Sequence, residues 1–390
     1  MKRANKISAF ILLVVMAGCG ERSKQSTDDI ITIDVTKGFP KKELILQDFM
    51  DVEYIALETT DNFLCQGIVA TIGEEVIIVV NQILDGDIFI FDRTGKGLRK
   101  INRRGQGPEE YVFVTGYILD EENGELFIND VTSKILVYDL YGNFKRSIHK
   151  GGNYSKIYNF DRENLICDDV FRGNDGEATD RPSFVIISKQ DGSIVNHIQI
   201  PFKNKITTTV MSKFAVDDSG SRIITPLGYP SINLYQNSFI LTEPSSDTIF
   251  RLLPNYNMLP FIVRVPSVQS MDPEVFLFTG ILTARYCFIQ TVKKEIEFAT
   301  RQVPRTNLMY DRQENTIFEY TVYNGDFSTK KPVNMSNATL NVEIALCQKI
   351  ESYELVESYK KGELQGRLKD IAAELDEESN PVIMIVKNKK

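Results

Sequence analysis

Two stretches of this chain repeat one another at a fixed spacing, and no other feature limits the possible folds so strongly. Asp87–Asp92 (Asp-Ile-Phe-Ile-Phe-Asp) leads through Arg-Thr-Gly-Lys into the β-rich residues 98–101, and Lys134–Asp139 leads through Leu-Tyr-Gly-Asn into residues 144–148. Ile88 matches Ile135, Phe91 matches Tyr138, Asp92 matches Asp139, Gly95 matches Gly142, Arg99 matches Arg146 and Ile101 matches Ile148, each pair 47 positions apart. A hairpin-like pair of runs precedes each copy: Ile68–Ile72 with Val76–Val80, and residues 117–120 with 126–130. Four strands in a period of this length is the signature of a propeller blade. The shared Asp-x-x-Gly has a local cause. The carboxylate accepts from backbone amides two or more residues on, and glycine accepts the positive φ of the hairpin. Bulky apolar residues alternate with polar ones, so the strands are expected to pack one face on the next blade.

Further copies are weaker. Residues 184–198 place Gly192 fifty positions after Gly142, with a one-residue turn insertion and a long polar loop at 172–182. Strand-like runs at 239–242, 247–253 and 261–265 suggest a fourth unit, and 281–289 with 316–323 a fifth. From 348 to 376 the texture changes to a charged helical pattern, with Leu355, Tyr359, Leu364, Leu368, Ile371 and Leu375 on one face. Asn380-Pro381 ends it, and 381–387 reads as a strand. A late strand of this kind is expected to pair with residues 52–57 and shut a ring, which removes free sheet edges.

The N-terminus carries a different message. Lys2, Arg3 and Lys6 precede an apolar run at 9–16, then Ala17-Gly18-Cys19. The run is too short to span a bilayer and has the layout of a secretory signal. The cysteine resembles the lipobox of bacterial lipoproteins, which implies cleavage before Cys19 and lipidation there. The expected organisation is a signal peptide at 1–18, a lipid-anchored flexible tether at 19–30, and one domain at 31–390 that includes the C-terminal helix and closing strand.

The charge is −8 and the pI about 5.2, with no basic cluster, which argues against nucleic-acid binding. Cys65, Cys167, Cys287 and Cys347 lack the close spacing of a zinc site; Cys167, Cys287 and Cys347 sit among apolar residues, which reads as buried free thiols. His149 and His197 are the whole histidine complement, so multi-histidine or triad chemistry has little to draw on. No metal or cofactor is expected.

Residues 52–59, 89–96, 104–111, 247–252 and 380–385 together resemble the six-bladed β-propeller lipoproteins of Bacteroidota, relatives of the NHL-repeat propellers. The resemblance spans nearly the whole mature chain. It implies an all-β fold of six blades in one domain and a place in the cell envelope, anchored to the outer membrane on its periplasmic or surface side. It carries no common activity and no catalytic residues.

Gly105-Gln-Gly-Pro-Glu-Glu-Tyr111 lies between two strands, without the helix N-terminus or P-loop lysine that phosphate binding needs. It is expected to carry the chain from one blade's outer strand to the next blade's inner strand. Its functional alternative places Arg103, Arg104, Glu109 and Glu110 at a mouth of the ring, in contact with a ligand. The acidic turns at 120–124 and 168–169 do not match a calcium loop and read as solvated turns. The expected function is non-catalytic binding or scaffolding of a glycan, peptide or envelope protein. The alternative is an extracellular lyase or hydrolase whose site is gathered from several blades.

Overall fold

The computed structural model describes residues 30–81, 85–152, 154–169, 182–211, 224–297, 299–300, 302–339 and 341–389. The signal segment, Cys19, nearly all of the tether and all but the last residue of the 172–182 loop lie outside them. Six sheets stand in a ring. Blade I is built from Ile68–Ile72, Val76–Val80, Asp87–Asp92 and Gly97–Asn102. Blade II is Val114–Asp120, Glu125–Asp130, Lys134–Asp139 and Phe144–His149. Blade III is Tyr154–Asn159, Asn164–Asp169, Phe184–Ser188 and Ile194–Ile198. Blade IV is Ile232–Tyr235, Ser238–Leu241, Thr248–Leu252 and Met258–Val265. Blade V is Val275–Leu282, Tyr286–Lys293, Arg305–Asp311 and Thr316–Asn324. The run expected at 281–289 is therefore a tight hairpin between two strands, turned by Thr283, whose hydroxyl accepts the Tyr286 N–H at 2.8 Å.

Blade VI closes the ring as the sequence suggests. Val382–Asn388 pairs antiparallel with Met50–Ala56 on one side and with Ile344–Ile350 on the other, with Ile383 opposite Ile55. Residues 335–339 run along its inner edge without forming a strand. Ile281 donates its N–H to Met335 O and Thr339 donates to Ala345 O. A Cβ on Gly280 would lie 2.2 Å from Met335 O, so only glycine lets this segment press against blade V.

The hydrophobic core is divided among the blade junctions. Ile78, Ile90, Leu126 and Ile128 fill the space between blades I and II, and Ile55, Ile77, Phe89 and Ile383 that between VI and I. The other four junctions are filled in the same way. The expected one-sided packing is corrected here. Strands such as Val76–Val80 and Glu125–Asp130 are buried along their whole length, because a neighbouring blade covers each face. Alternation survives on outer strands such as Gly97–Asn102.

The repeated residues prove to be contacts between blades. The hairpin glycines 95, 142 and 192 all have positive φ, and each turn rests on the outer strand of the preceding blade. Cβ positions on them would meet Ala56 O at 2.1 Å, Ile101 at 3.0 Å and Ile148 at 2.6 Å. Arg99 donates to Leu140 O at 3.0 Å, and Arg146 donates to Lys189 O at 2.9 Å, each reaching the next blade's turn.

Of the strands not foreseen, two lie near the start of the described residues. Ile31–Asp34 adds parallel to the outer edge of blade IV and Lys41–Ile45 to that of blade V, before Met50–Ala56 enters blade VI. The N-terminal segment thus belts three consecutive blades and covers two edges. The C-terminal helical region is two short helices, Ser352–Lys360 and Gly366–Ala372, where one had been expected over 348–376. Residues up to 350 still belong to a strand, and Gly362, at φ +72°, turns the chain between the helices. Leu355, Leu364, Leu368 and Ile371 cap the core shared by blades V and VI. No helix among the described residues is long and apolar enough to cross a membrane.

Candidate binding channel

First strands line the axis of a propeller, so their side chains meet there from separate blades. Ala70 and Thr71 of blade I, Thr115 and Tyr117 of blade II and Tyr158 of blade III border one cavity of about 430 Å³. A second cavity, of about 370 Å³, lies among blades III, IV and V, lined by Lys156, Tyr229, Phe278, Gln290, Arg305 and Asn337. Lys156, Asn337 and Ala338 border both. The segment that enters blade VI therefore runs down the channel and partly fills it. The second cavity lies on the face where outer strands cross to inner ones, since Gly228–Pro230 and residues 336–338 belong to such crossings.

The polar groups here hold one another. Lys156 stands opposite Asp168 in the strand pair of blade III and donates to Tyr229 O. Burial pulls the Lys156 ammonium below the ordinary lysine value, opposed by the Asp168 charge. Burial likewise pushes the Asp168 carboxyl up, while the Ser231 hydroxyl and Lys156 pull it down. Glu243 is buried and accepts from Lys205 Nζ with both oxygens at 3.0 Å. Tyr229 stacks on Phe278 with ring centroids 4.7 Å apart, and burial raises its phenol well above the usual range. Arg305 is exposed at the cavity wall, where it donates to Gln290 Oε1 at 2.6 Å. Gln290 in turn donates to Asn307 Oδ1 at 2.9 Å, which fixes the amide.

The residues singled out from sequence lie elsewhere. Residues 103–111 do cross from the outer strand of blade I to the inner strand of blade II. Arg103 Nε donates to Gly142 O at 3.2 Å, and Glu110 accepts the Gly107 N–H at 2.8 Å. The Glu109 carbonyl accepts from Tyr138, and the Arg104 N–H donates to Asn102 Oδ1 at 3.0 Å. All four residues are exposed, and neither cavity is lined by any of them. His149 and His197 lie exposed on the outer strands of blades II and III.

The solvated-turn reading fails for two carboxylates. Asp120 is 2% exposed and pairs with the equally buried Lys189 at 2.5 Å. Asp168 is buried within the strand Asn164–Asp169, opposite Lys156, and not in a turn. No disulfide joins these four cysteines among the described residues; Cys167 and Cys287 are buried, and Cys65 and Cys347 half-buried. Burial pushes Cys287 up to about 12 and Cys65 up to about 11. The sequence offered no signal for Lys156, Arg305 or Gln290. None sits in a motif, and the meeting of Lys156 with the bonded Gln290 and Arg305 depends on how blades III and V are placed.

Among solved structures, a protein of Bacteroides fragilis described as exported superposes with a TM-score of 0.62 at 15% identity, covering 93% of this chain and 100% of that one. BamB from Moraxella catarrhalis is more distant, with a TM-score of 0.40 at 9% identity over 87% of this chain and 99% of that one. No curated protein matches the chain. A family model, DUF5128, described as a six-bladed β-propeller, matches residues 21–343. A ring of six sheets closed by the two ends of the chain, and a family model over most of its length, lead to one conclusion: the chain belongs to this family of six-bladed β-propellers.

Proposed function

We propose that this protein is a ligand-binding propeller of the cell envelope, held at a membrane by a lipid on Cys19. The observation that carries the binding reading is the second cavity, where Lys156, Arg305, Gln290 and Asn337 arrive from different blades and crossings to line one space. Its volume is within the roughly 300–1,000 Å³ usual for small-molecule sites. The exposed Arg103, Arg104, Glu109 and Glu110 would supply outer contacts for a longer ligand on the crossing face. Envelope location is supported by the basic-apolar-cysteine start and by the description of the Bacteroides fragilis relative as exported.

The enzymatic alternative has less support. A lyase or hydrolase needs a base poised in the channel, and both histidines lie on outer strands. Asp168 faces a lysine and a serine. The test is thermal melting of the full-length protein in detergent micelles, followed by circular dichroism, against saccharides, short peptides and divalent cations. A ligand of the folded state raises the melting temperature, and silence across the panel overturns the binding reading. Metabolic labelling with a clickable fatty acid tests the anchor, and the label should vanish in Cys19→Ser.

A further inference from the structure

We propose that the cavity among blades III, IV and V takes a small organic carboxylate, gripped by Arg305 with Lys156 beside it; this deepens the binding reading and rests on it. Arg305 opens the third strand of blade V, and the partner of its guanidinium is the neutral Gln290 amide at 2.6 Å. A guanidinium carries five N–H donors in a rigid fork that matches a carboxylate in bidentate fashion. The Gln290 amide, itself held by Asn307 at 2.9 Å, sets the angle of that fork. Lys156 adds a second cation to the same wall, and its bond to the Tyr229 carbonyl anchors the ammonium without neutralising it.

The neighbouring carboxylates leave this charge incompletely balanced. Glu243 is engaged on both oxygens by Lys205 at 3.0 Å. Asp168, across from Lys156, faces the Ser231 hydroxyl as well. An incoming carboxylate supplies the missing negative charge, and beside the half-buried Lys156 its ion pairing is screened less than at an open surface. Asn337 borders the same space and faces the polar body of the ligand, while the Thr279 and Ser336 hydroxyls are held by Asn233 at 2.7 Å and Asn334 at 2.6 Å. About 370 Å³ suits one sugar ring or a dipeptide. A sugar acid and the end of a short peptide present the same group, and the experiment separates them.

The experiment is isothermal titration of the full-length protein in detergent micelles with D-galacturonate and with Ala-Ala, against D-galactose and Ala-Ala amide. At least one acid should bind, with its neutral counterpart about tenfold or more weaker, the effect of losing a charge-assisted contact. Arg305→Gln should abolish that preference while leaving the ligand-free melting temperature unchanged, and Lys156→Gln should reduce it. The acid that binds identifies the source of the carboxylate. Equal binding of acid and neutral forms, or a preference that persists in Arg305→Gln, overturns the carboxylate assignment and leaves the binding reading standing. Failure of both acids also overturns the assignment. Only silence across the wider melting panel removes the binding reading as well.

Discussion

Glycine 95 and glycine 142 occupy matching hairpins, yet their neighbours differ in how far they can give. A Cβ on Gly95 would meet the backbone oxygen of Ala56 at 2.1 Å, whereas on Gly142 it would meet the Ile101 side chain at 3.0 Å. Positive φ costs an L-residue roughly 1–2 kcal/mol in either place. Gly142→Ala should therefore destabilise by about that amount, and Gly95→Ala by about 1–3 kcal/mol more as the turn is forced off its neighbour. Guanidinium midpoints of the two variants check the order; equal losses would refute it. Lys189 gives a second case. It is 2% exposed and its ammonium meets Asp120 at 2.5 Å. Lys189→Met leaves that carboxylate buried and uncompensated, a loss of about 3–5 kcal/mol, while adding Asp120→Leu should recover part of it. A double-mutant cycle in denaturant reads the recovery directly.

Strands that arrive from the far end of the sequence depend on few side chains for their placement. Lys41–Ile45 is tied to blade V by Lys42, which donates to Asp311 at 3.1 Å, and Arg285 grips the same carboxylate at 2.8 Å. Burial pushes the fully buried Asp311 carboxyl up, but the hydrogen bonds from Arg285 and Lys42 and two backbone N–H groups outweigh it. The carboxyl is held far below the ordinary range. A depressed carboxyl contributes stability above its unfolded value of about 3.9, lost as the pH falls toward the folded value. Asp311→Asn should cost about 2–3 kcal/mol at pH 7, less than for a wholly buried pair because Arg285 is partly exposed. The variant should also lose less stability than the parent between about pH 5 and 2. Denaturant midpoints across that range check this; parallel profiles would refute it.

A ring of blades has no centre that holds it together, so the last junction decides whether the whole stays shut. Val382–Asn388 lies between strands from opposite ends of the chain, and Val382, Ile383 and Ile385 are fully buried. Each such side chain contributes about 1.5–3 kcal/mol by burial. Removing residues 381–390 strips the middle strand from blade VI and exposes its neighbours. The truncated protein should melt many degrees lower and lose its single transition. An unchanged calorimetric trace would show that the other five junctions suffice. Asn380 strengthens the same closure, donating to Glu58 O at 2.7 Å and accepting from the Cys65 N–H at 2.9 Å.

Much of this architecture could be read in advance because it is written in local chemistry. Asp92-x-x-Gly95 makes its turn through a carboxylate that accepts from the Thr94 and Lys96 amides a few residues away, and strand, turn and blade period follow from such short-range preferences. Closure was legible too, since an apolar strand after a helix needs a partner. The Arg99 and Arg146 clamps were visible as a repeat but not as contacts, because their acceptors lie on the next blade. The belt formed by Ile31–Asp34 and Lys41–Ile45 gave no warning. These strands are short and add parallel to distant edges, an outcome that pattern within a segment does not encode. The channel belongs wholly to the assembled ring. Lys156 of blade III and Gln290 and Arg305 of blade V are ordinary strand residues until the ring sets those blades around one space, and that placement depends on the junction cores on either side of blade IV.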